Sequence, residues 1–303
     1  MYPNIAIANR VYPLHLTEEF CTIYADVYQQ RKSFPKGSAE NAMLKLALNG
    51  VYGDSNNAFG PFYDPQYTMA ITINGQLSLC LLAEKLLNEV PDLKLIQVNT
   101  DGVTVAYRHE YEDIYMKICN DWQKQVGLEL EYADYSAMYI RDVNNYIAVY
   151  TNGKVKRKGA YQYEDLGWHQ DQGGLVIPKA AEAYMLHGTD IHEFIEKHKE
   201  VDPFDFMLRV KIPRSSQLFT FEPDAEEDSE GTLQQNNCRY YIANSGQKLV
   251  KVMPPDPKKE VQEDRYFGIN KEHLVKICND MQDYDGDINV DFYVQEAMKL
   301  VIE

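Results

Sequence analysis

Between positions 45 and 53 the chain reads Lys45-Leu-Ala-Leu-Asn49-Gly50-Val51-Tyr52-Gly53. On a helix, Lys45, Asn49 and Tyr52 fall at i, i+4 and i+7 and share one face, while Leu44, Leu46 and Leu48 cover other angles. A cation, an amide and an aromatic ring in a row suit a nucleotide. The ammonium meets phosphate as a flexible point charge, and the ring stacks near sugar or base. Gly50 and Gly53 leave room for a flat ligand to approach the backbone. Read structurally instead, the same residues are a surface lysine on an amphipathic helix that ends at a glycine.

Around this stretch, residues 17–32 and 39–52 carry helical patterns separated by Ser33-Phe34-Pro35-Lys36-Gly37, whose Pro and Gly stop the first helix. Ser38 is a candidate N-cap for the second, so the pair predicts a helical hairpin. Met1 to Val11 is apolar and holds Pro3, which predicts the end of a strand entering a turn. Downstream, a third helix is expected near Gly75 to Val90. β-rich runs at Leu93–Val98 and Val103–Tyr107 follow, then a helix at Tyr111–Val126 and strands at Glu129–Glu131 and Tyr146–Val155. This β-β-α-β order predicts a small antiparallel sheet packed by helices, an α+β layer. From about Gly173 the expectation is a helix opened by Pro178 and running to Met185, and another at Ile191–Lys199. Strands at Phe206–Ile212 and Tyr240–Val252 flank an acidic insertion there. That insertion, Phe221 to Gly231, has six carboxylates in eleven residues and reads as a solvated loop.

Two further motifs could carry chemistry. The β-rich runs flank Asn99-Thr100-Asp101-Gly102, which would hold Asp101 at a rigid tip where a carboxylate can meet a divalent metal. Asn, Asp and Gly are also what any tight hairpin prefers. Lys154-Val-Lys156-Arg157-Lys158-Gly-Ala-Tyr161 is the densest basic cluster. On a strand Lys154, Lys156 and Lys158 point one way and Arg157 the other, a face that fits a nucleic-acid backbone. Many edge strands carry lysine only to prevent aggregation.

Composition bounds these readings. The 303 residues are 45% apolar and 25% charged, ordinary for a globular chain of about two domains. Thirty Lys and Arg against 46 Asp and Glu give −16, which taken alone argues against a nucleic-acid partner. The charge is uneven, however: residues 1–53 hold five basic and four acidic side chains, a net of +1, leaving −17 for the rest. Local clusters rather than the sum meet phosphates. Cys21, Cys80, Cys119, Cys238 and Cys278 are widely spaced with no Cys-x-x-Cys pair, which predicts free thiols in a reducing compartment and disfavours zinc. No basic-then-apolar leader is present, so a cytoplasmic location is expected. The apolar stretch Ala70–Ala83 is broken by Asn74, Gly75, Gln76 and Ser78, and no membrane span is expected. Asp283-Tyr-Asp285-Gly286-Asp287 fails the EF-hand pattern, with Gly at the fourth position and Val294 at the twelfth. The seven histidines show no metal-like pairing with a glutamate, and His187 and His192 read as surface residues.

In order and spacing, MYPNI, KLALNGVYG, VNTDG and KRKGAY together resemble the palm and fingers of family B DNA polymerases, particularly compact phage enzymes. The matching family motifs are the tail of D-x-x-S-L-Y-P-S-I, then K-x-x-x-N-S-x-Y-G, then Y-x-D-T-D-S, then a lysine-bearing strand near the primer. The segment FGPFYDPQYTMAITINGQ also looks like the one that follows the second motif. The likeness is dense over about residues 1–180 and thins to a helical thumb pattern beyond. It implies a truncated palm at 1–14 without its metal-binding Asp, fingers at 15–53, palm at 54–168 and a mixed α/β thumb at 169–303, with no exonuclease domain.

The resemblance also implies roles. Tyr2 would be the steric gate under the sugar, Arg31 and Lys45 would grip the triphosphate, and Asn49 and Tyr52 would line the nascent base pair. Asp101 would bind the catalytic Mg²⁺ ions, and Lys156, Lys158 and Tyr161 would lie along the DNA. The partners implied are primer-template DNA, dNTPs and an upstream polymerase or exonuclease segment or chain; a phage-encoded protein would work in the host cytoplasm. Three departures stand out. The first-motif Asp is expected four residues before Met1, the first Asp of the D-T-D triplet is Asn99, and Asn144 and Asn145 replace the paired lysines before Tyr146. Glu131 matches a family position near the site. With one motif Asp, two-metal phosphoryl transfer lacks a ligand. The alternatives are a DNA- or nucleotide-binding subunit that needs a separate chain to supply the missing Asp, and an acidic α+β protein with accidental matches.

Overall fold

In the computed structural model the opening residues are helical rather than extended: α1 spans Tyr2–Ala8. Pro3 sits in its first turn, where a missing N–H breaks no hydrogen bond, and this is why a proline that reads as a turn signal does not stop the helix. The structure describes residues 1–167, 169–226, 229–255, 263–271 and 273–301. They fall into two units, Met1–Ala133 and Asp134–Glu303.

In the first unit α2 (Glu19–Lys32) and α3 (Ala39–Asp54) form the expected helical hairpin. Ser38 Oγ accepts the Asn41 N–H as an N-cap (3.2 Å). Buried Asn41 then donates from Nδ2 to the carbonyls of Arg31 (3.1 Å) and Phe34 (3.0 Å), fastening the end of α2 to the start of α3. Ile5 and Ala6 of α1 pack with Tyr24, Leu48, Val51, Tyr67 and Ile71, so four helices share one core.

The next helix, α4, runs Pro65–Glu89 and begins ten residues before its predicted start. Asp64 caps it, accepting from the N–H groups of Gln66 (2.9 Å) and Tyr67 (3.1 Å). The polar residues expected to break the stretch are absorbed: Thr72 Oγ1 and Asn74 Nδ2 donate back to the carbonyls of Thr68 and Ala70, both at 2.8 Å. By length and composition alone this helix could cross a membrane, a test that a core helix also passes. Tyr67, Ile71, Gly75, Leu79, Leu82 and Leu86 form its buried stripe, so here it serves as a core helix of the first unit. Gly75 is where α1 crosses; a Cβ there would meet Ile5 Cδ1 at 3.0 Å.

The antiparallel hairpin of β1 (Lys94–Val98) and β2 (Val103–Ala106) pairs Val98 with Val103, with an irregularity between Leu95 and Gln97. Helix α5 (Glu112–Val126) covers it through Ile118, Cys119 and Trp122, which pack with Leu82, Leu86, Val103 and Val105. The strand predicted at Glu129–Glu131 does not form. That segment is irregular, with the Leu130 N–H held by Gln123 Oε1 (2.8 Å). Its two carboxylates reach outward, Glu129 to Lys32 (3.6 Å) and Glu131 to Lys36 (3.0 Å).

The second unit opens with a three-stranded antiparallel sheet ordered β3 (Tyr135–Asp142), β4 (Asn145–Tyr150), β5 (Val155–Lys158). The single β-β-α-β sheet expected from sequence is therefore two separate sheets, one per unit. The predicted strand Tyr146–Val155 breaks at Thr151-Asn152-Gly153, where Gly153 takes φ +82°, a hairpin turn. Then follow α6 (Val176–His187), α7 (Ile191–Val201), β6 (Leu208–Lys211), β7 (Gln217–Phe221), β8 (Thr232–Gln234), β9 (Asn237–Ala243), β10 (Lys248–Met253), β11 (Arg265–Ile269), β12 (Leu274–Ile277) and α8 (Val290–Met298). The strands make two sheets, β11-β10-β7-β8 and β12-β9-β6. What read as one strand, Tyr240–Val252, is thus β9 and β10, split between sheets at Asn244-Ser245-Gly246. Gly246 has φ +140°, and a Cβ there would lie 2.4 Å from the Val275 carbonyl oxygen. The region is richer in strand than the helical pattern predicted. Tyr293 on α8 ties its core together, donating to Phe206 O (2.8 Å) and accepting from the Ile242 N–H (3.1 Å). Of the acidic insertion, Glu227 and Asp228 lie outside the described residues; Glu222, Asp224, Glu226 and Glu230 are exposed.

Candidate nucleotide and nucleic-acid sites

Helix α3 presents Lys45 and Asn49 to solvent and leaves Tyr52 half-buried. Tyr2 of α1 stacks on Tyr52, ring centroids 3.8 Å apart and 16° from parallel, and the Tyr52 hydroxyl meets Thr72 Oγ1 on α4 at 3.0 Å. Burial, the Tyr52 hydroxyl and the Asp101 charge all push the Tyr2 phenol above its ordinary pKa. Arg31 lies in the last turn of α2, its Nε 3.4 Å from Asn41 Oδ1. The Met1 amine is pushed down by burial, while the charges of Asp101, Arg31, Lys45 and Glu131 all act on it. Of the residues the sequence indicated separately, Tyr2 and Tyr52 are in direct contact, and Asp101 acts on the Tyr2 phenol through its charge. Lys36, which no local pattern in the sequence marks, holds the Glu131 carboxylate below the usual range, with Arg31 adding to the effect.

At the hairpin tip, Asn99 Oδ1 accepts the Asp101 N–H (3.2 Å), and the Asn99 N–H donates to Gly102 O (3.0 Å). The Asn99 side chain is therefore spent on the turn, while the exposed Asp101 carboxylate makes no salt bridge among the described residues. A divalent ion with oxygen ligands would find one such carboxylate here, since Glu131 is tied to Lys36. Two ions need more ligands than this, so the donor set present does not make a two-metal site by itself.

A second group with ligand atoms within 4.8 Å, His198, Asp202 and Asp205, lies in the second unit. Asp205 is buried and already engaged by the Lys179 ammonium and by His198 Nε2 (2.5 Å). Burial alone would raise its pKa, but these two partners outweigh that and hold it low. The histidine pairing that the sequence did not reveal is thus to Asp205, seven residues on.

Along β5 the predicted alternation holds from 156 to 158. Lys156 and Lys158 pair across from Ala148 and Tyr146, with the Lys156 ammonium 5.8 Å from the Tyr146 ring centre. Lys154 lies in the turn before the strand, where its carbonyl accepts the Tyr150 N–H (2.8 Å). Arg157 faces the other way and pairs with Glu182 of α6 through Nε (2.5 Å) and Nη2 (2.7 Å), with Glu164 at 2.6 Å. Tyr163 closes the group, its hydroxyl 2.9 Å from Glu182 and its ring 4.5 Å from the guanidinium. Tyr161, expected along the DNA, is fully buried and donates to Leu300 O (2.6 Å); its ring anchors the strand end rather than facing solvent. Asn144 and Asn145 make the β3–β4 turn, both N–H groups donating to Asp142 Oδ1.

Helices with several small antiparallel sheets make an α+β architecture compatible with a polymerase-like fold. Among solved structures the chain is similar to the family B DNA polymerase from the hyperthermophilic archaeon Pyrobaculum calidifontis, with a TM-score of 0.52 at 13% identity. The match covers 99% of this chain and 43% of that one, so this chain spans less than half the length of that polymerase. The likeness is one of fold. No protein-family model matches the sequence, and no curated protein matches it.

Proposed function

We propose that the chain is the polymerase portion of a family B-type DNA polymerase of the compact phage kind, adding deoxynucleotides from dNTPs to a primer 3′-OH under template direction. The observation that carries this reading is the stack of Tyr2 on Tyr52 at the end of the α3 face that bears Lys45 and Asn49, with the Asp101 charge acting on the Tyr2 phenol; the fold likeness supports it at the level of architecture. In this reading residues 1–14 and 54–168 belong to the palm, 15–53 are fingers and 169–303 the thumb. Arg31 and Lys45 hold the triphosphate, Asn49 and Tyr52 line the base pair, and the Tyr2 ring, braced by Tyr52, lies under the sugar. Asp101 is the residue of this chain that would hold Mg²⁺, which would polarise the transferring phosphoryl group. Lys156 and Lys158 follow the duplex backbone, and Tyr161 fixes the end of their strand.

A second reading, a binding subunit that needs another polypeptide for catalysis, is favoured by one observation: Asn99 is consumed by the turn, leaving Asp101 as the single motif carboxylate. Primer extension beside a salt titration tests both against a chain that binds no DNA. Residues 1–303 are expected to bind primer-template without sequence preference, log affinity falling with log salt by about 0.9 per phosphate contacted. They are expected to incorporate no nucleotide until a polypeptide carrying the missing palm strand and its Asp is added. Robust extension by the chain alone would show that another carboxylate serves, and absence of salt-dependent binding would refute the polymerase reading.

Lys45→Ala in the reconstituted enzyme tests the assignment of the α3 face. Charge grows at the leaving group during transfer, so kcat/KM for dNTP should fall on the order of 10²-fold while primer-template affinity holds. A collapse of DNA binding instead would mean that this face meets DNA rather than nucleotide.

A further inference from the structure

We infer that Phe59 is a stacking platform for an unpaired template base, an assignment that rests on the polymerase reading and adds a subsite to it. The ring is 98% exposed, the most exposed large hydrophobic side chain among the described residues. The loop beneath it is firmly built. Asp54, the last residue of α3, accepts from Asn57 Nδ2 (3.1 Å) and the Phe62 N–H (3.3 Å), and Asn57 Oδ1 accepts the Phe59 N–H itself (3.1 Å). Gly60 lies so close to Asp54 that a Cβ would come within 2.1 Å of its carboxylate. From outside, His15 Nε2 meets Pro61 O and the Leu14 N–H donates to Asp64, both at 2.9 Å. A loop pinned on two sides thus holds a bare aromatic ring in water.

The surroundings of the ring narrow its occupant. The residues that flank it in sequence, Asn56, Asn57, Ala58 and Gly60, are small or polar, and the exposed Tyr63 and Leu14 lie at the base of the loop beside Asp64, so the tip itself offers the footprint of one flat ring rather than the roughly 800 Å² per partner of a stable protein interface. No Lys or Arg occurs from Asp54 to Gln66, so the loop does not grip phosphate; what remains is stacking, which every nucleobase can provide. Bases inside a duplex have both faces covered, which leaves the single-stranded template. The loop also departs from α3 just past Tyr52, whose turn Ser55 closes by donating to Tyr52 O (2.6 Å). The platform therefore continues from the end of the helix that faces the nucleotide.

The test uses residues 1–303 with a blunt duplex and with the same duplex carrying a 5′ template overhang, 2-aminopurine being placed in turn at each overhang position. The overhang is expected to strengthen binding about tenfold, by the usual size of one base–aromatic stack, and to show quenching at one or two positions. Phe59→Ala should abolish both the increment and the quenching while leaving blunt-duplex affinity unchanged, and Phe59→Trp should keep both. Asp54→Ala, which loosens the loop but keeps the ring, should lose most of the increment. An increment and quench that survive in Phe59→Ala would overturn the assignment, as would self-association of the parent that Phe59→Ala removes. Binding to blunt duplex with no overhang increment rejects the platform alone; no binding to either DNA rejects the polymerase reading along with it.

Discussion

Asp101→Asn, in enzyme reconstituted with the polypeptide that supplies the second palm carboxylate, is expected to lower primer extension by at least about a hundredfold. Losing one carboxylate from a phosphoryl-transfer metal site removes several kcal/mol of transition-state charge stabilisation, and each ~1.4 kcal/mol is a factor of ten. The substitution is a clean probe because the turn does not use this carboxylate. Asp101 gives the turn its main-chain N–H, and the remaining bond is between Asn99 and Gly102. Thermal unfolding should therefore be unchanged while activity falls. Extension within tenfold of the parent would remove Asp101 from the metal site.

Glu182→Ala should be the most destabilising of the substitutions considered, by about 3–5 kcal/mol in urea unfolding. The Glu182 carboxylate is 9% exposed and takes both an Nε–H and an Nη–H of Arg157, itself 15% exposed, as well as the Tyr163 hydroxyl. Truncating it leaves the guanidinium with Glu164, which is 61% exposed and screened by water. Removing both partners is a different matter: Arg157→Met with Glu182→Leu should recover most of the loss, because a buried pair replaced by packed apolar groups costs little. A single-variant loss below about 1 kcal/mol would mean that water already reaches the pair.

Local signals were legible wherever one pattern decided an element. Ser38 and the Pro35–Gly37 break placed the α2–α3 hairpin, and the Asn99–Gly102 tetrad placed the β1–β2 turn. What sequence did not reveal depends on contacts between distant residues. Pro3 is harmless only because it falls in a first turn, and Asn74 lies within α4 only because its amide bonds back to Ala70. β9 and β10 read as one run because the apolar pattern continues across the turn that sends them to different sheets. At the site the residue types were visible, but not that Tyr2 and Tyr52 stack. Lys36 and Glu131, 95 positions apart, share no local signature, and neither do Arg157 and Glu182. Tyr161 shows the reverse error: an aromatic beside a basic strand reads as a DNA contact until its burial is known.

The polar chain behind β5 also has a mechanical consequence. Glu182 and Lys179 lie one turn apart on α6, and Tyr163 reaches both, through its hydroxyl to the carboxylate and with its ring 5.8 Å from the ammonium. Lys179 passes the connection to Asp205, and Asp205 to His198 on α7. The strand bearing Lys156 and Lys158 is thereby coupled with little slack to two helices on its far side. A load applied to those lysines would be transmitted to α6 and α7 instead of being absorbed by local bending, so strand and helices would turn as one lever. In the polymerase reading such a part would follow the rise of a duplex by rotating as a whole, with the flex residing in connections outside the chain of ion pairs.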